Sequence, residues 1–280
     1  MTLSLDIAVT SAILVLVVAG LLLIFGLLHV INLAHTGLMA IGAFMQVEFV
    51  DRGVGFWLGV LLSALVTGVV GAVIEIAVVR RLYERPLDTI LATWGVSLVI
   101  TQVLILVYGS QTKSVDFPAK GATSIFGTIY PTYRLLLVVI AAALLAALGL
   151  LVWLTPAGLT IRAVMVNEPL ARAHGINTVR VRQVTFIVGS ALAGGAGAVI
   201  APTTGVDTSF GTALVATGLL AALLAGRTLP GLALAAVLLG GAQILFARYA
   251  NPIWGQAFVI GVAVVVLRFV PNGFTFRRTT

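Results

Sequence analysis

The chain contains no cysteine, three histidines and only two lysines, Lys113 and Lys120. The missing cysteines exclude a disulfide framework, a thiolate nucleophile and a cysteine metal cluster, and they leave the redox compartment unmarked. Neither lysine stands in Gly-x-x-x-x-Gly-Lys-Ser/Thr, so this chain has no P-loop with which to bind ATP. Gly189-Ser190 does not continue into the Gly-x-Ser-x-Gly frame of a nucleophile elbow. Zinc needs more ligands than His29 and His35 supply, because the third histidine, His174, lies in a distant loop. No metal, no bound cofactor and no catalytic residue is therefore expected in this chain. Charge is scarce too: 9% of residues are charged, against roughly 25% in a soluble domain.

Apolar residues make up 60% of the 280 positions, with a mean hydropathy of +1.17, which excludes a water-soluble globule. A membrane-crossing helix needs about 20 apolar residues, so eight or nine of them consume roughly 160 to 180 positions and leave no room for a second catalytic domain. The apolar runs are continuous, not alternating, which argues against strands. The predicted fold is an all-α integral membrane protein, a polytopic bundle of eight or nine transmembrane helices in one domain, residues 1–280. The net charge of +7 comes from arginines that punctuate hydrophobic runs, the pattern of positive-inside loops, and no nucleic-acid partner is expected. Met1 to Asp6 lacks the basic start of a cleavable signal, so the first apolar segment is expected to be retained.

Nine stretches stand out: Ile7 to Leu28, Leu33 to Val50, Phe56 to Val79, Thr89 to Tyr108, Leu135 to Leu154, Val184 to Ala201, Ala213 to Ala225, Leu229 to Ala247 and Ile253 to Val270. Ala213 to Ala225 is short and either crosses or re-enters. Arg80, Arg81 and Arg85 flank the third stretch, Arg162, Arg172, Arg180 and Arg182 fill the link after the fifth, and Arg277 and Arg278 follow the last. Even numbers of spans separate these clusters, so all three share the cytoplasmic side, with the C-terminus inside and the N-terminus outside. The loop from Gly109 to Tyr133, with Lys113, Asp116 and Lys120, then falls on the outer face. In the inner link, residues 155–183, Asn167 can cap a short helix, Pro169 fits its first turn and Gly175 can end it.

Polar side chains at membrane depth are costly and tend to line a path or to pair internally. His29, Asn32 and His35 follow a spacing of three, as on one helical face, with Gln46 further on. They either line a route or sit in water at a turn. Thr93, Trp94, Ser97 and Gln102, with Asp88 and Thr89, bring hydroxyls, an indole and an amide into the fourth span, for a polar solute or for bonding within the helix. Glu75, five residues before Arg80, pairs with a neighbouring arginine or relays protons. Ser190, Gly194, Gly195, Gly197 and Ala198 have small-residue spacing suited to close helix packing. The break at Gly226 to Pro230 is either a turn or an exposed stretch of backbone.

Several segments resemble the permease subunits of ABC importers for branched-chain amino acids, amides and urea. They are Leu23-Ile24-Phe25-Gly26 with Val30-Ile31-Asn32-Leu33-Ala34-His35; Arg85-Pro86-Leu87 with Leu91-Ala92-Thr93-Trp94-Gly95; Ala171-Arg172-Ala173-His174-Gly175-Ile176-Asn177; and Pro271-Asn272-Gly273-Phe274. The resemblance implies a bacterial or archaeal plasma-membrane protein. It further implies a pore shared with a second permease subunit, either a different chain or another copy. Two P-loop ATPases would carry ATP and Mg, and an extracytoplasmic solute-binding protein would deliver the solute. It implies a short ATPase-docking helix in the inner link, here Glu168, Ala171, Arg172, His174, Gly175, Ile176 and Asn177. Independently of the resemblance, the polar side chains at membrane depth, His29, Asn32, His35, Gln46, Thr93, Trp94, Ser97 and Gln102, are the candidates for the translocation path. The family's Gly-Gly-rich turn is replaced here by Ala225-Gly226-Arg227-Thr228-Leu229-Pro230-Gly231. Tyr83 to Gly95 looks closer to the urea and short-amide members, whereas the wider family carries branched-chain amino acids. The alternative from another class is a proton-coupled carrier working through Glu75 or His35.

Overall fold

The architecture is taken from a computed structural model, which describes residues 2–28, 31–83, 85–119, 121–125, 127–226, 228–249, 252–271 and 273–274. His29, Lys120, Arg227, Asn272, Arg277 and Arg278 lie outside the described residues. All nine apolar stretches fold as helices. In chain order the elements are α1 (Thr2–Leu28), α2 (His35–Asp51), α3 (Phe56–Ala77), a 3-10 turn (Val79–Leu82), α4 (Pro86–Tyr108), β1 (Ala122–Ile125) and β2 (Thr128–Pro131). They continue with α5 (Thr132–Leu154), α6 (Pro156–Val166), α7 (Glu168–Ala173), α8 (Thr178–Thr204), α9 (Phe210–Ala225), α10 (Leu229–Tyr249) and α11 (Pro252–Phe269).

Among the described residues, α1, α3, α4, α5, α8 and α10 are long and apolar enough to cross a membrane, which makes six. The expected eight or nine are reached only if the shorter α2, α9 and α11 contribute. Two further features differ from the sequence reading. The polar loop 109–131 contains a two-stranded antiparallel hairpin, with Ala122 opposite Pro131 and Ile125 opposite Thr128. A fold read as purely helical thus carries a small sheet where the chain leaves its apolar runs. The link 155–183 holds two short helices instead of one, because Thr155 caps α6 through the N–H of Gly158 (3.0 Å) and Pro156 opens its first turn.

The chain divides into two compact units. The first comprises residues 1–18, 117–145 and 214–280. In it the Tyr130 hydroxyl donates to Asp6 (2.7 Å), which ties the hairpin to the start of α1. A Cβ on Gly240 of α10 would meet Ser11 of α1, so those two helices pass in close contact. The tail folds back onto the α9–α10 turn, with Phe274 N–H on the Leu224 carbonyl (2.7 Å) and the Thr228 hydroxyl on the Phe274 carbonyl (3.1 Å). The end of a segment that carries the family resemblance thus meets the turn at which the sequence departs from it.

The second unit comprises residues 19–116 and 146–213. Here α2 is packed against α3, α4 and α8. Lipid tails are as apolar as leucine, so helices in a bilayer associate chiefly by close packing. Glycine makes that possible: a Cβ on Gly42 of α2 would stand 2.1 Å from the Gly194 carbonyl of α8, and one on Gly197 equally close to the Met39 carbonyl. Beneath them Leu38, Met39, Ala43 and Phe44 are fully buried. Leu61, Leu65, Val69 and Val73 of α3, by contrast, form an exposed apolar stripe at helical spacing, suited to contact with lipid or another membrane helix.

Candidate functional site

Between α1 and α2 the helical pattern is interrupted at residues 31–34. Asn32 therefore does not share a helical face with His35, contrary to the spacing argument: it sits in a turn, and His35 begins α2. The Asn32 side-chain oxygen Oδ1 accepts from the Ala34 N–H (3.1 Å), an Asx-type contact that competes with helix formation. Both residues are buried, at 2% and 0% exposure. A Cβ on Gly20 would lie 3.2 Å from the His35 ring, so α2 starts alongside the body of α1 and not at its end.

The fourth span supplies the other wall of this break. The Thr93 hydroxyl accepts from the Leu33 N–H (3.2 Å) and itself donates to the Ile90 carbonyl (3.0 Å). Ser97 pairs with Thr36 (2.5 Å), whose hydroxyl also reaches the Leu33 carbonyl. Asn32, His35, Thr93 and Ser97 are thus brought to one locality, where freed backbone groups are satisfied by α4 hydroxyls. Gln46 is buried elsewhere, its amide donating to the Phe56 carbonyl (3.1 Å) beside α3. Trp94 and Gln102 lie on the exposed side of α4, away from that cluster. Thr36 was not singled out from sequence, since a threonine one residue inside a helix is unremarkable until its partner is known. The Asn32 amide nitrogen, the Gln46 amide oxygen and the Ser63 hydroxyl are buried without a hydrogen-bond partner among the described residues. Such groups commonly cost about 1–3 kcal/mol each.

The inner link carries the second locality. Asn167 accepts from the Leu170 N–H (3.0 Å) and so caps α7, Pro169 occupies its first turn, and Gly175 follows with φ 82°. That left-handed value suits glycine and terminates the helix. Asn177 caps α8 in the same manner through the Arg180 N–H (3.0 Å). Ala171 turns inward to join Leu27 and Val164 in a buried cluster flanked by Met165, Ile176 and Val181. Gly26 lets α6 approach, because a Cβ there would strike the Met165 methyl. Leu170, Arg172 and His174 remain exposed, leaving one face of α7 free. Glu168 receives Arg172 (3.1 Å) and Arg182.

Glu75 is fully buried at the end of α3 and is ion-paired: Arg80 donates Nε and Nη2 to its two oxygens (3.2 and 3.0 Å), and the Tyr83 hydroxyl donates to Oε1 (2.6 Å). The Arg80 guanidinium is held above its ordinary pKa by that hydrogen bond, and burial followed by the Glu75 contact pushes the Tyr83 phenol up. Sequence reasoning found Glu75 and Arg80 from their spacing but not Tyr83, which the 3-10 turn carries back onto them. Among the described residues, no group of three histidine, aspartate or glutamate side chains is disposed to hold a metal ion.

Long apolar helices enclosing buried polar side chains, interrupted by an irregular stretch, define a multi-pass membrane protein. The chain belongs to the family described as the permease component of branched-chain amino acid transport systems, whose model matches residues 3–267. It is 25% identical over 283 residues to the high-affinity branched-chain amino acid transport permease LivH of Salmonella typhimurium, covering 94% of this chain and 91% of that one. BraD of Pseudomonas aeruginosa, named for the same transport, is 24% identical over 281 residues, with 94% and 91% covered. A probable LivH of Methanocaldococcus jannaschii is 25% identical over 284 residues, covering 95% and 89%. No solved structure matches.

Proposed function

We propose that this chain is the permease subunit of an ABC importer that carries branched-chain amino acids across a bacterial or archaeal plasma membrane. The observation that carries the reading is α7: a side-chain-capped helix with one face on the apolar cluster and the other exposed, in a chain whose family match spans residues 3–267. Hydrolysis of ATP with Mg then falls to separate P-loop ATPases that receive the free face of α7, and an extracytoplasmic binding protein delivers the solute. A second permease subunit, a different chain or another copy, completes the pore. The names of the LivH and BraD relatives favour branched-chain amino acids over urea or amides.

The arginine clusters support a cytoplasmic position for α6 to α8. Arg182 stacks over the Tyr83 ring at 4.6 Å, which puts the α3–α4 turn and the α7–α8 region on one side of the second unit. Nine crossings would place the N-terminus outside and the C-terminus inside. The polar break at Asn32 and His35, with Thr93 and Ser97, is the part of the molecule best suited to line the path. The proton-coupled alternative loses support, since a Glu75 carboxylate gripped by three donors is poorly placed to shuttle protons.

Mild-detergent purification from the native membrane, with mass spectrometry of every co-purifying protein, tests the proposal. P-loop ATPases and a second permease are expected, and a branched-chain amino acid on the associated binding protein. A binding protein loaded with urea or an amide would overturn the substrate. Uptake by the reconstituted chain alone, without ATP, would overturn the importer.

A further inference from the structure

Within the second unit, α7 is fastened twice. One fastening is apolar: Ala171 against Leu27 and Val164. The other is a polar chain that leaves α7 from Glu168, passes to the Arg182 guanidinium on α8, crosses by that cation's face to the Tyr83 ring at 4.6 Å, and ends where the Tyr83 hydroxyl meets the buried Glu75 on α3. Arg80 closes the far end by holding both Glu75 oxygens. Arg172 steadies the near end, donating to Glu168 and to the Thr178 hydroxyl (3.3 Å). The chain joins four separate segments, α7, α8, the α3–α4 turn and α3, through side chains that are mostly shielded from water. Arg182 and Glu168 are 17% and 20% exposed, and Glu75 is fully buried.

A fastening of this kind differs from the apolar one. Apolar contacts slide and re-form with little directional preference, whereas a planar guanidinium shared between a carboxylate and an aromatic face holds orientation as well as distance. Buried ionic groups also add little net stability compared with apolar residues of the same volume, so stability alone does not account for them. The Arg182 Nε is buried with no hydrogen-bond partner among the described residues, so this side chain depends on the Glu168 and Tyr83 contacts for its position.

We infer that Tyr83 and Arg182 are positioning residues that transmit movement of α7 to the inner end of α3, so that they set how tightly ATP hydrolysis is coupled to transport. The inference rests on the reading of α7 as the ATPase-docking helix. When α7 is displaced, Glu168 draws Arg182 with it, the guanidinium turns against the Tyr83 ring, and the ring's hydroxyl shifts the Glu75–Arg80 pair at the end of α3. The apolar cluster meanwhile ties the same displacement to the end of α1.

The test uses the complete importer with its ATPases and binding protein in proteoliposomes, comparing the native permease with Tyr83→Phe, Arg182→Leu and Arg182→Lys. Because the chain has no cysteine, Ala173→Cys gives a single site at which to cross-link α7 to the ATPase in each background. Cross-linking should be preserved in all of them. Solute transported per ATP hydrolysed should fall about fivefold or more in Tyr83→Phe and Arg182→Leu, the lower range of ordinary coupling effects. Arg182→Lys, which keeps the cation, should recover part of it. Normal transport per ATP in Tyr83→Phe and Arg182→Leu, with cross-linking intact, overturns the inference. If Arg182→Leu does not assemble, Tyr83→Phe and Arg182→Lys decide alone. Absence of the cross-link in the native background overturns the docking role of α7 instead, a separate failure.

Discussion

Asn167 contributes one hydrogen bond at the start of α7, and a lost helix cap generally costs about 1 kcal/mol. In Asn167→Ala the Leu170 amide should therefore exchange its hydrogen roughly five times faster, read by mass spectrometry of the purified permease. Glycines separate in a similarly local manner. Gly42→Ala drives a methyl into the Gly194 backbone and should cost about 1–3 kcal/mol as overpacking. Gly95→Ala meets nothing within 4 Å and should gain about 0.5–1 kcal/mol in a helix interior. Thermal unfolding in detergent should move in opposite directions for the two. The phenols give a pH prediction. Burial and the bond to Glu75 raise Tyr83, and burial and the bond to Asp6 raise Tyr130, both above the ordinary 10.0. The folded chain keeps these protons where the unfolded chain releases them, so their stabilising contribution is complete below pH 10 and drains away as pH rises beyond it. Alkaline titration by phenolate absorbance should find Tyr83 and Tyr130 ionising above the range of a free phenol, with stability declining as they do, and Tyr83→Phe and Tyr130→Phe should each remove part of that late absorbance change. At this scale the sequence made Asn167, Pro169 and Gly175 readable, since capping chemistry is local. It hid Tyr83 and Thr36, whose partners come from other segments.

Helix α7 behaves as a discrete element because a cap precedes it, a left-handed glycine ends it and only Ala171 is buried. Replacing residues 168–177 by a flexible linker should leave the membrane helices folded yet abolish ATPase docking, measured by co-purification. Normal transport would exclude the docking role. The apolar helices were legible because continuous hydrophobic runs have few alternatives in a bilayer. Less legible was the start of α2. Composition carries the run straight through residues 31–34, and only the Asn32 side chain and the α4 hydroxyls make a break there tolerable. The small hairpin was also missed, as four-residue strands in a polar loop leave no periodic signal.

For the molecule as a whole, orientation is the property on which the importer reading most depends. In the cysteine-free chain, Ala173→Cys should react with an impermeant maleimide only in inside-out vesicles, and Thr123→Cys in the hairpin only in right-side-out ones. Labelling from the same side would reverse the assignment of one loop. The short second helix has another consequence, for biogenesis. Its polar start, and the glycines on which it rests, are matched by α4 and by Gly194 and Gly197 of α8. The ribosome does not finish α8 until α3 to α7 have already been made. A nascent chain must therefore keep α2 sheltered, in the insertion machinery or against α1, long before its lasting neighbours exist. Chains truncated ahead of Thr178 should be cleared by membrane proteases faster than those that extend through Thr204.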